Sequence, residues 1–217
     1  MRPSMNLSVY LIIGCENGKD SCLEIVTKAL DGGVTVVQLR DKVSSIDAIV
    51  ETGRELKSLL HPRGVPLIIN DRVDVALAVE ADGVHVGQSD MHPSDVRRLI
   101  RQDMLLGLSI TNLEELQRFT WSHEEAVVDY LGVGPVYETT TKTDCKDIIG
   151  MKGVAAICAA TALPKVAVGG LDAGSAGSAI AAGCDGVAVS AAIAKASDPA
   201  AAARDIATAV ERAKEIL

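Results

Sequence analysis

Two aspartates in this chain stand where strands should end. Asp71 follows the apolar run Pro66-Leu67-Ile68-Ile69-Asn70, and Asp90 follows a short Gly-Gln-Ser turn after Gly83-Val84-His85-Val86. If those runs are neighbouring strands, their tips lie roughly 5 Å apart. Two carboxylates can then converge on one hard cation, and Mg2+ takes one or two carboxylates and completes its shell with water and substrate phosphates. Asp71 and Asp90 are therefore candidate Mg2+ ligands. Taken singly, each of them, like Asn70, also reads as a helix N-cap that satisfies free backbone N–H groups.

Cationic and hydroxyl groups recur at other expected strand tips. Gln38 and Arg40 alternate at the end of Val34–Arg40, with Lys42 just beyond, and two cations at one mouth of an acidic protein suit an anionic ligand. The alternative is a solvated turn before a helix capped by Ser44 or Ser45. Ser109 ends the run 104–110 as a donor or a plain turn residue. The stretch YETTTKTDCKD gathers Thr139, Thr140, Thr141 and Lys142, a set suited to phosphate on a loop long enough to close, or else an exposed connection. Gly169-Gly170 and Val189-Ser190 end two further runs, where bare backbone and a following helix offer N–H groups to an anion.

Composition narrows the partners. The formal net charge of -8 disfavours DNA or RNA, and only five aromatic residues in 217 leave little for base stacking. No apolar run is long enough to cross a bilayer and the opening residues carry no leader pattern, so a cytoplasmic protein is expected. Five scattered cysteines without a C-x-x-C pair read as reduced structural thiols, and four histidines show no zinc-ligand spacing. No histidine, cysteine or serine has an evident triad partner, so covalent catalysis is not expected.

These residues must be positioned by something regular. Apolar runs at 8–14, 34–40, 65–70, 83–87, 104–110, 129–136, 165–170 and 186–190 make eight strand candidates, and segments of helical spacing lie between them. Continuous rather than alternating apolar strands indicate a parallel sheet covered on both faces. Eight βα units in 217 residues predict one α/β domain over 1–217, a (β/α)8 TIM barrel, whose C-terminal strand tips carry the chemistry. Gly32-Gly33, Gly64, Gly83 and Gly183 precede strands and are expected to close helices in left-handed caps.

The motifs QLRDK, LIINDRVDVALAVEADGVHVGQSD, GLSI, GVGPVYETTTK, VAVGG and DGVAVSAAI, in register from about residue 8 to 195, closely resemble those of the thiamine-phosphate synthase family. The resemblance implies a transferase that joins a pyrimidine methyl diphosphate to a thiazole phosphate and releases pyrophosphate with Mg2+ as cofactor. It further implies that pyrophosphate leaves first and the thiazole nitrogen captures the resulting cation. By the same resemblance, Gln38, Leu39, Arg40, Asp41, Lys42, Asn70, Ser109 and Lys142 bind the pyrimidine diphosphate. Arg40, Lys42, Ser109 and Lys142 are the catalytic set, Asp71 and Asp90 hold the metal, and Thr139, Thr140, Thr141, Gly170, Val189 and Ser190 contact the thiazole phosphate. No general base is required. Glu138 and Thr140 depart from the proline-bearing loop usual in the family, which implies a looser loop and weaker thiazole-phosphate binding. A thiazole tautomerase or a non-catalytic regulatory relative is the competing reading. The expected partners are small molecules and at most further copies of this chain, with neither nucleic acid nor membrane.

Overall fold

A computed structural model describes residues 5–15, 18–122, 124–139 and 148–216. Eight parallel strands close into a barrel in sequence order: β1 Val9–Ile13, β2 Val36–Leu39, β3 Leu67–Asn70, β4 Gly83–Val86, β5 Leu105–Ile110, β6 Tyr130–Val133, β7 Lys165–Val168 and β8 Gly186–Val189. Helices α1 Lys19–Asp31, α2 Ile46–Leu60, α3 Val73–Ala78, α4 Pro93–Leu99, α5 Leu113–Trp121, α6 Gly150–Ala159 and α7 Ala173–Ala181 alternate with them. A short α8, Ala191–Ala194, and the long α9, Pro199–Ile216, follow β8. The expected (β/α)8 barrel is thus the observed fold. Among the described residues no helix is long and apolar enough to cross a membrane.

The strands are apolar throughout because both faces are buried. Leu11, Val37, Leu39, Ile69, Val84, Leu106, Leu131 and Val187 pack outward against the helices in the larger core. Tyr10, Val36, Ile68, Leu105, Tyr130, Val166 and Ala188 fill the barrel interior. Gly107 makes the interior possible, since a Cβ there would lie 2.3 Å from both His85 Nδ1 and the Tyr130 ring. Its backbone yields the volume that those two side chains occupy.

Of the glycines expected to end helices with a left-handed backbone, Gly33, Gly64 and Gly183 have positive φ. Gly32 and Gly83 are not left-handed: Gly32 caps α1 at φ -89, and Gly83 begins β4 with its missing Cβ only 2.6 Å from the Leu105 carbonyl oxygen. Packing against β5, not helix termination, requires glycine there.

The rim at the strand N-termini is held by a device that repeats around the barrel. The residue before each even-numbered strand accepts, through its side chain, the backbone N–H at or next to the start of the preceding strand. Thr35 takes Val9 N (3.0 Å), Asp82 takes Leu67 N (2.8 Å), Asp129 takes Leu106 N (2.7 Å) and Asp185 takes Lys165 N (2.8 Å). The backbone returns the bond each time, from Thr35, Asp82, Asp129 and Asp185 N to Val9, Leu67, Leu106 and Lys165 O. Strands are thereby clamped in pairs at the end away from the chemistry.

Asp129 is the most consequential clamp because Arg97 also donates to it at 2.7 Å with both side chains nearly buried. Asp129→Ala would take this carboxylate from the Arg97 guanidinium, leaving it the Val127 and Met104 carbonyls, and would strip the Leu106 N–H of its acceptor. Losing one partner of a buried ion pair costs about 3–5 kcal/mol. Denaturant melts should register a loss of that size, while turnover per folded molecule stays at the wild-type level; a change below about 0.5 kcal/mol would contradict the clamp.

Candidate active site

One cavity opens at the C-terminal mouth of the barrel, lined by Gln38, Arg40, Asn70, His85, Ser109, Thr111, Thr139, Gly169, Gly170, Val189 and Ser190. Every strand contributes at least one lining residue at or near its tip, Asn70 ending β3 and Gly134 following β6. The alternation of each strand decides the lining. Gln38 faces inward between Val37 and Leu39, and His85 inward between Val84 and Val86, both flanking pairs belonging to the outer core.

Asp71 and Asp90 form the edge of this mouth. β3 ends at Asn70, and Asp71 occupies the next position with φ 61, a left-handed backbone tolerated by Asp and Asn better than by other side chains. Its N–H donates to His85 O at 2.8 Å, extending the β3–β4 pairing by one residue. Neither aspartate is a helix cap: α3 starts after Arg72 and α4 after His92, both without a side-chain cap. One Asp90 oxygen accepts Gly87 N at 2.7 Å, which closes the turn that carries it back toward β3. Asp71 then faces both Asp90 and, at 3.5 Å, the Lys42 ammonium.

The electrostatics of that cluster are unfavourable as they stand. Burial, followed by hydrogen bonding and charge from Asp90, pushes the Asp71 carboxyl up to about 6, with Lys42 opposing. Two carboxylates in contact hold a proton because like charges this close cannot both ionise cheaply. A divalent cation can replace that proton, and two carboxylates with room for phosphate oxygens are the donor set Mg2+ accepts. The residues present therefore fit a magnesium ion.

The rest of the cavity is organised by a buried hydrogen-bond chain. Gln38 Nε2 donates to Tyr10 Oη (2.7 Å), Tyr10 Oη pairs with Tyr130 Oη (2.8 Å), and Tyr130 Oη with His85 Nδ1 (3.1 Å). His85 Nε2 then meets Ser109 Oγ at 2.9 Å. Burial raises both phenols well above their ordinary range, so the two tyrosines stay protonated and neutral. Gln38, with its amide nitrogen committed to Tyr10, keeps its amide oxygen as an acceptor at the cavity wall.

Across the mouth the cavity is different in kind. Gly169 and Gly170 have φ 105 and 65, and a Cβ on Gly170 would lie 2.7 Å from the Glu138 carbonyl oxygen. Tyr137 N donates to Gly169 O, so the segment after β6 lies directly on the tip of β7. Ser190 precedes α8 and makes no side-chain cap bond. Loops after strands 7 and 8 together with a short extra helix are the usual phosphate cradle of this architecture.

Several sequence expectations need adjusting. Leu39 is buried in the outer layer, so its side chain cannot touch a ligand in the mouth. Asp41 is spent on its own turn, accepting Val43 N and Ser44 N at 2.9 Å. Ser45 does cap α2, accepting Ala48 N. Lys42, Asp71 and Asp90 gather at the edge of the mouth; Gln38, Arg40, Asn70, Ser109, Thr139, Gly170, Val189 and Ser190 line it. Thr140, Thr141 and Lys142 lie outside the described residues. His85 was missed: the sequence offered it no evident partner, and the structure sets its Nε2 against Ser109 Oγ. It is no triad, since its other nitrogen meets a phenol. The available signal was the alternation in Gly-Val-His-Val-Gly, which sends His85 to the face shared with Gly107 and Asn70.

The carboxylate contact has a consequence for stability. A carboxyl raised from 3.8 to about 6 on folding binds its proton more tightly in the folded state, so stability is lost as pH rises from about 4 through 6. Asp71→Asn removes that penalty and suits the left-handed backbone. In the absence of divalent metal, the variant should be more stable than wild type at pH 8 by about 1–3 kcal/mol. The difference should vanish near pH 3.5; equal stability at both pH values would contradict the contact.

Comparison with known proteins identifies the family to which this barrel is similar. Residues 9–193 match the family described as thiamine monophosphate synthase (TMP-TENI). The thiamine-phosphate synthase of Azorhizobium caulinodans is 44% identical over 213 residues, covering 96% of this chain and 97% of its own. That of Xanthobacter autotrophicus is 50% identical over 192 residues, 88% of this chain and 89% of its own. Among solved structures, thiamine phosphate pyrophosphorylase from Pyrococcus furiosus superposes with a TM-score of 0.84 at 32% identity, over 96% of this chain and 97% of its own. A 3-hexulose-6-phosphate synthase at 17% identity, TM-score 0.70 over 94% of this chain and 99% of its own, shares the fold alone. A barrel with these motifs, matched along nearly its whole length by those relatives, belongs to the thiamine monophosphate synthase family.

Proposed function

We propose that this protein is a thiamine-phosphate synthase, a transferase that joins an aminopyrimidine methyl diphosphate to a thiazole phosphate and releases pyrophosphate. The observation that carries the reading is the division of one mouth into two anion sites of different chemistry. Arg40, Lys42 and the Asp71–Asp90 pair suit a diphosphate that arrives with a divalent ion. Gly169, Gly170 and Ser190 suit a monophosphate bound by backbone and hydroxyl. The protein acts as a single cytoplasmic barrel on small molecules.

Asp71 and Asp90 would hold the magnesium ion, which when bound neutralises charge on the diphosphate oxygens. Arg40 and Lys42, with Lys142, add fixed positive charge where the departing pyrophosphate gathers negative charge. The amide oxygen of Gln38, oriented by Tyr10, accepts from the exocyclic amine of the pyrimidine and fixes the ring in the mouth. The pyrimidine methylene C–O bond breaks with its electron pair going to pyrophosphate, and the thiazole nitrogen lone pair forms the new C–N bond. Neutral phenols beneath the site offer no nucleophile to intercept the cation. Ser109 and His85 hold each other in place at the wall, and neither has to take a proton in this bond exchange.

Incubating the protein with both heterocyclic phosphates and Mg2+ should give thiamine phosphate and pyrophosphate by mass detection, with EDTA stopping the reaction and excess Mg2+ restoring it. Product formed at full rate in EDTA would contradict the metal assignment, and no product under any condition the activity itself. Ser190→Ala should raise KM for the thiazole phosphate roughly tenfold, the worth of one hydrogen bond to a charged group, and leave KM for the pyrimidine diphosphate unchanged. Equal losses for both substrates would contradict separate sites. Gly170 is the poorer probe, because any side chain there also strains its backbone.

A further inference from the structure

At the opposite end of the barrel from this chemistry, two thiols face each other. Cys158 lies in the last turn of α6 and Cys184 directly before β8, and their sulfurs are 3.6 Å apart. The contact is built into the backbone. Gly183, at φ 100, turns the chain onto α6 so closely that a Cβ there would sit 3.0 Å from the Cys158 Cβ. Lys165 Nζ, largely buried, donates to Thr161 O, and its charge acts on both thiols, opposed by that of Asp185. Neither cysteine lines the cavity at the mouth.

We propose that Cys158 and Cys184 form a peroxide-reactive dithiol that closes to a reversible disulfide, with Cys158 as the attacking sulfur and Cys184 as the resolving one. Disulfide sulfurs lie about 2.05 Å apart, so the pair, now at 3.6 Å, must approach by roughly 1.5 Å to close the bond. Both thiols lie in the outer core, but Cys158 is the more exposed of the two, 9% against 5%, so peroxide reaches it first. A Cys158 thiolate accepts the Cys184 S–H and feels Lys165, which lowers the Cys158 thiol, while the same contact and burial raise that of Cys184. The thiolate is the nucleophile in sulfur oxidation.

Cys158 sulfur attacks one peroxide oxygen, forming S–O as O–O breaks, and the departing hydroxide becomes water on taking a proton. Cys184 sulfur then attacks the sulfenic sulfur, forming S–S as S–OH breaks, and the hydroxyl leaves as water with the Cys184 proton. Two thiols are oxidised, one peroxide is reduced, and two waters result. The bridge would enclose β7, the Gly169-Gly170 bend and α7 in one covalent ring, so the unit that carries the monophosphate cradle is also the one stapled.

The test treats the native full-length protein with hydrogen peroxide and maps its peptides without reduction. The expected result is a mass loss of about 2 Da, located in a cross-linked peptide containing Cys158 and Cys184 and reversed by dithiothreitol. In Cys184→Ala, Cys158 should be trapped as its sulfenic acid by dimedone; in Cys158→Ala, Cys184 should remain a thiol. Oxidation of Cys158 to sulfinic acid without a cross-link in the wild type, or both thiols intact after Cys15 and Cys22 have been consumed, would overturn the proposal. Dimedone labelling of Cys184 in Cys158→Ala would overturn the order of attack. The wild-type map stands even if a variant fails to fold, and product formation by each variant serves as the check on its folding.

Discussion

The contact between Asp71 and Asp90 is the constraint around which the mouth of this barrel is organised. Folding brings two like charges together at adjacent tips, and burial with mutual repulsion keeps the Asp71 carboxyl protonated up to about 6. Such a contact costs stability and persists only where the surrounding structure fixes it. The fixing is visible: the Asp71 N–H is tied to β4, its backbone is held at φ 61, and Asp90 is locked by its bond to Gly87. A cation that bridges the pair would turn the penalty into binding energy. Lys42 sits on the same cluster, so this edge of the mouth is assembled from a mixture of signs instead of from cations alone.

The two rims of the barrel show how that cost is carried. At the lower rim, Thr35, Asp82, Asp129 and Asp185 clamp strands in pairs with reciprocal bonds, and Arg97 reinforces one of them. At the upper rim, side chains are left facing a cavity, and glycine bends at 169 and 170 leave backbone bare. Between the rims, the Gln38–Tyr10–Tyr130–His85–Ser109 chain crosses the barrel as a continuous hydrogen-bonded layer. Buried polar groups rigidify a core when every member is satisfied. Among the described residues no deeply buried side-chain nitrogen or oxygen lacks a partner.

The strands were legible in the sequence because doubly buried strands leave continuous apolar runs, and all eight expected runs contain the observed ones. The tip residues followed once the runs were counted. What could not be read depends on pairing across the barrel. His85 sits among valines and looks like core until β5 supplies Ser109 and Gly107 opposite it. Asp82, Asp129 and Asp185 precede strands as ordinary turn residues would, and only the register with the preceding strand reveals the clamp. Gly83 carries no sign that its neighbour is the Leu105 carbonyl instead of a helix end. Leu39 lies inside a binding motif yet faces the helices, because motif membership does not specify which side of the strand a residue takes.

The shared role of the two aspartates is open to one direct measurement: the rate of thiamine phosphate formation at saturating Mg2+ for Asp71→Asn, Asp90→Asn and the double variant. Residues that hold one ion act as a unit, so each single change should remove most of the activity and the second should remove little more. Modest losses that multiply independently in the double variant would contradict a shared cation, and with it the reason for placing these two carboxylates in contact.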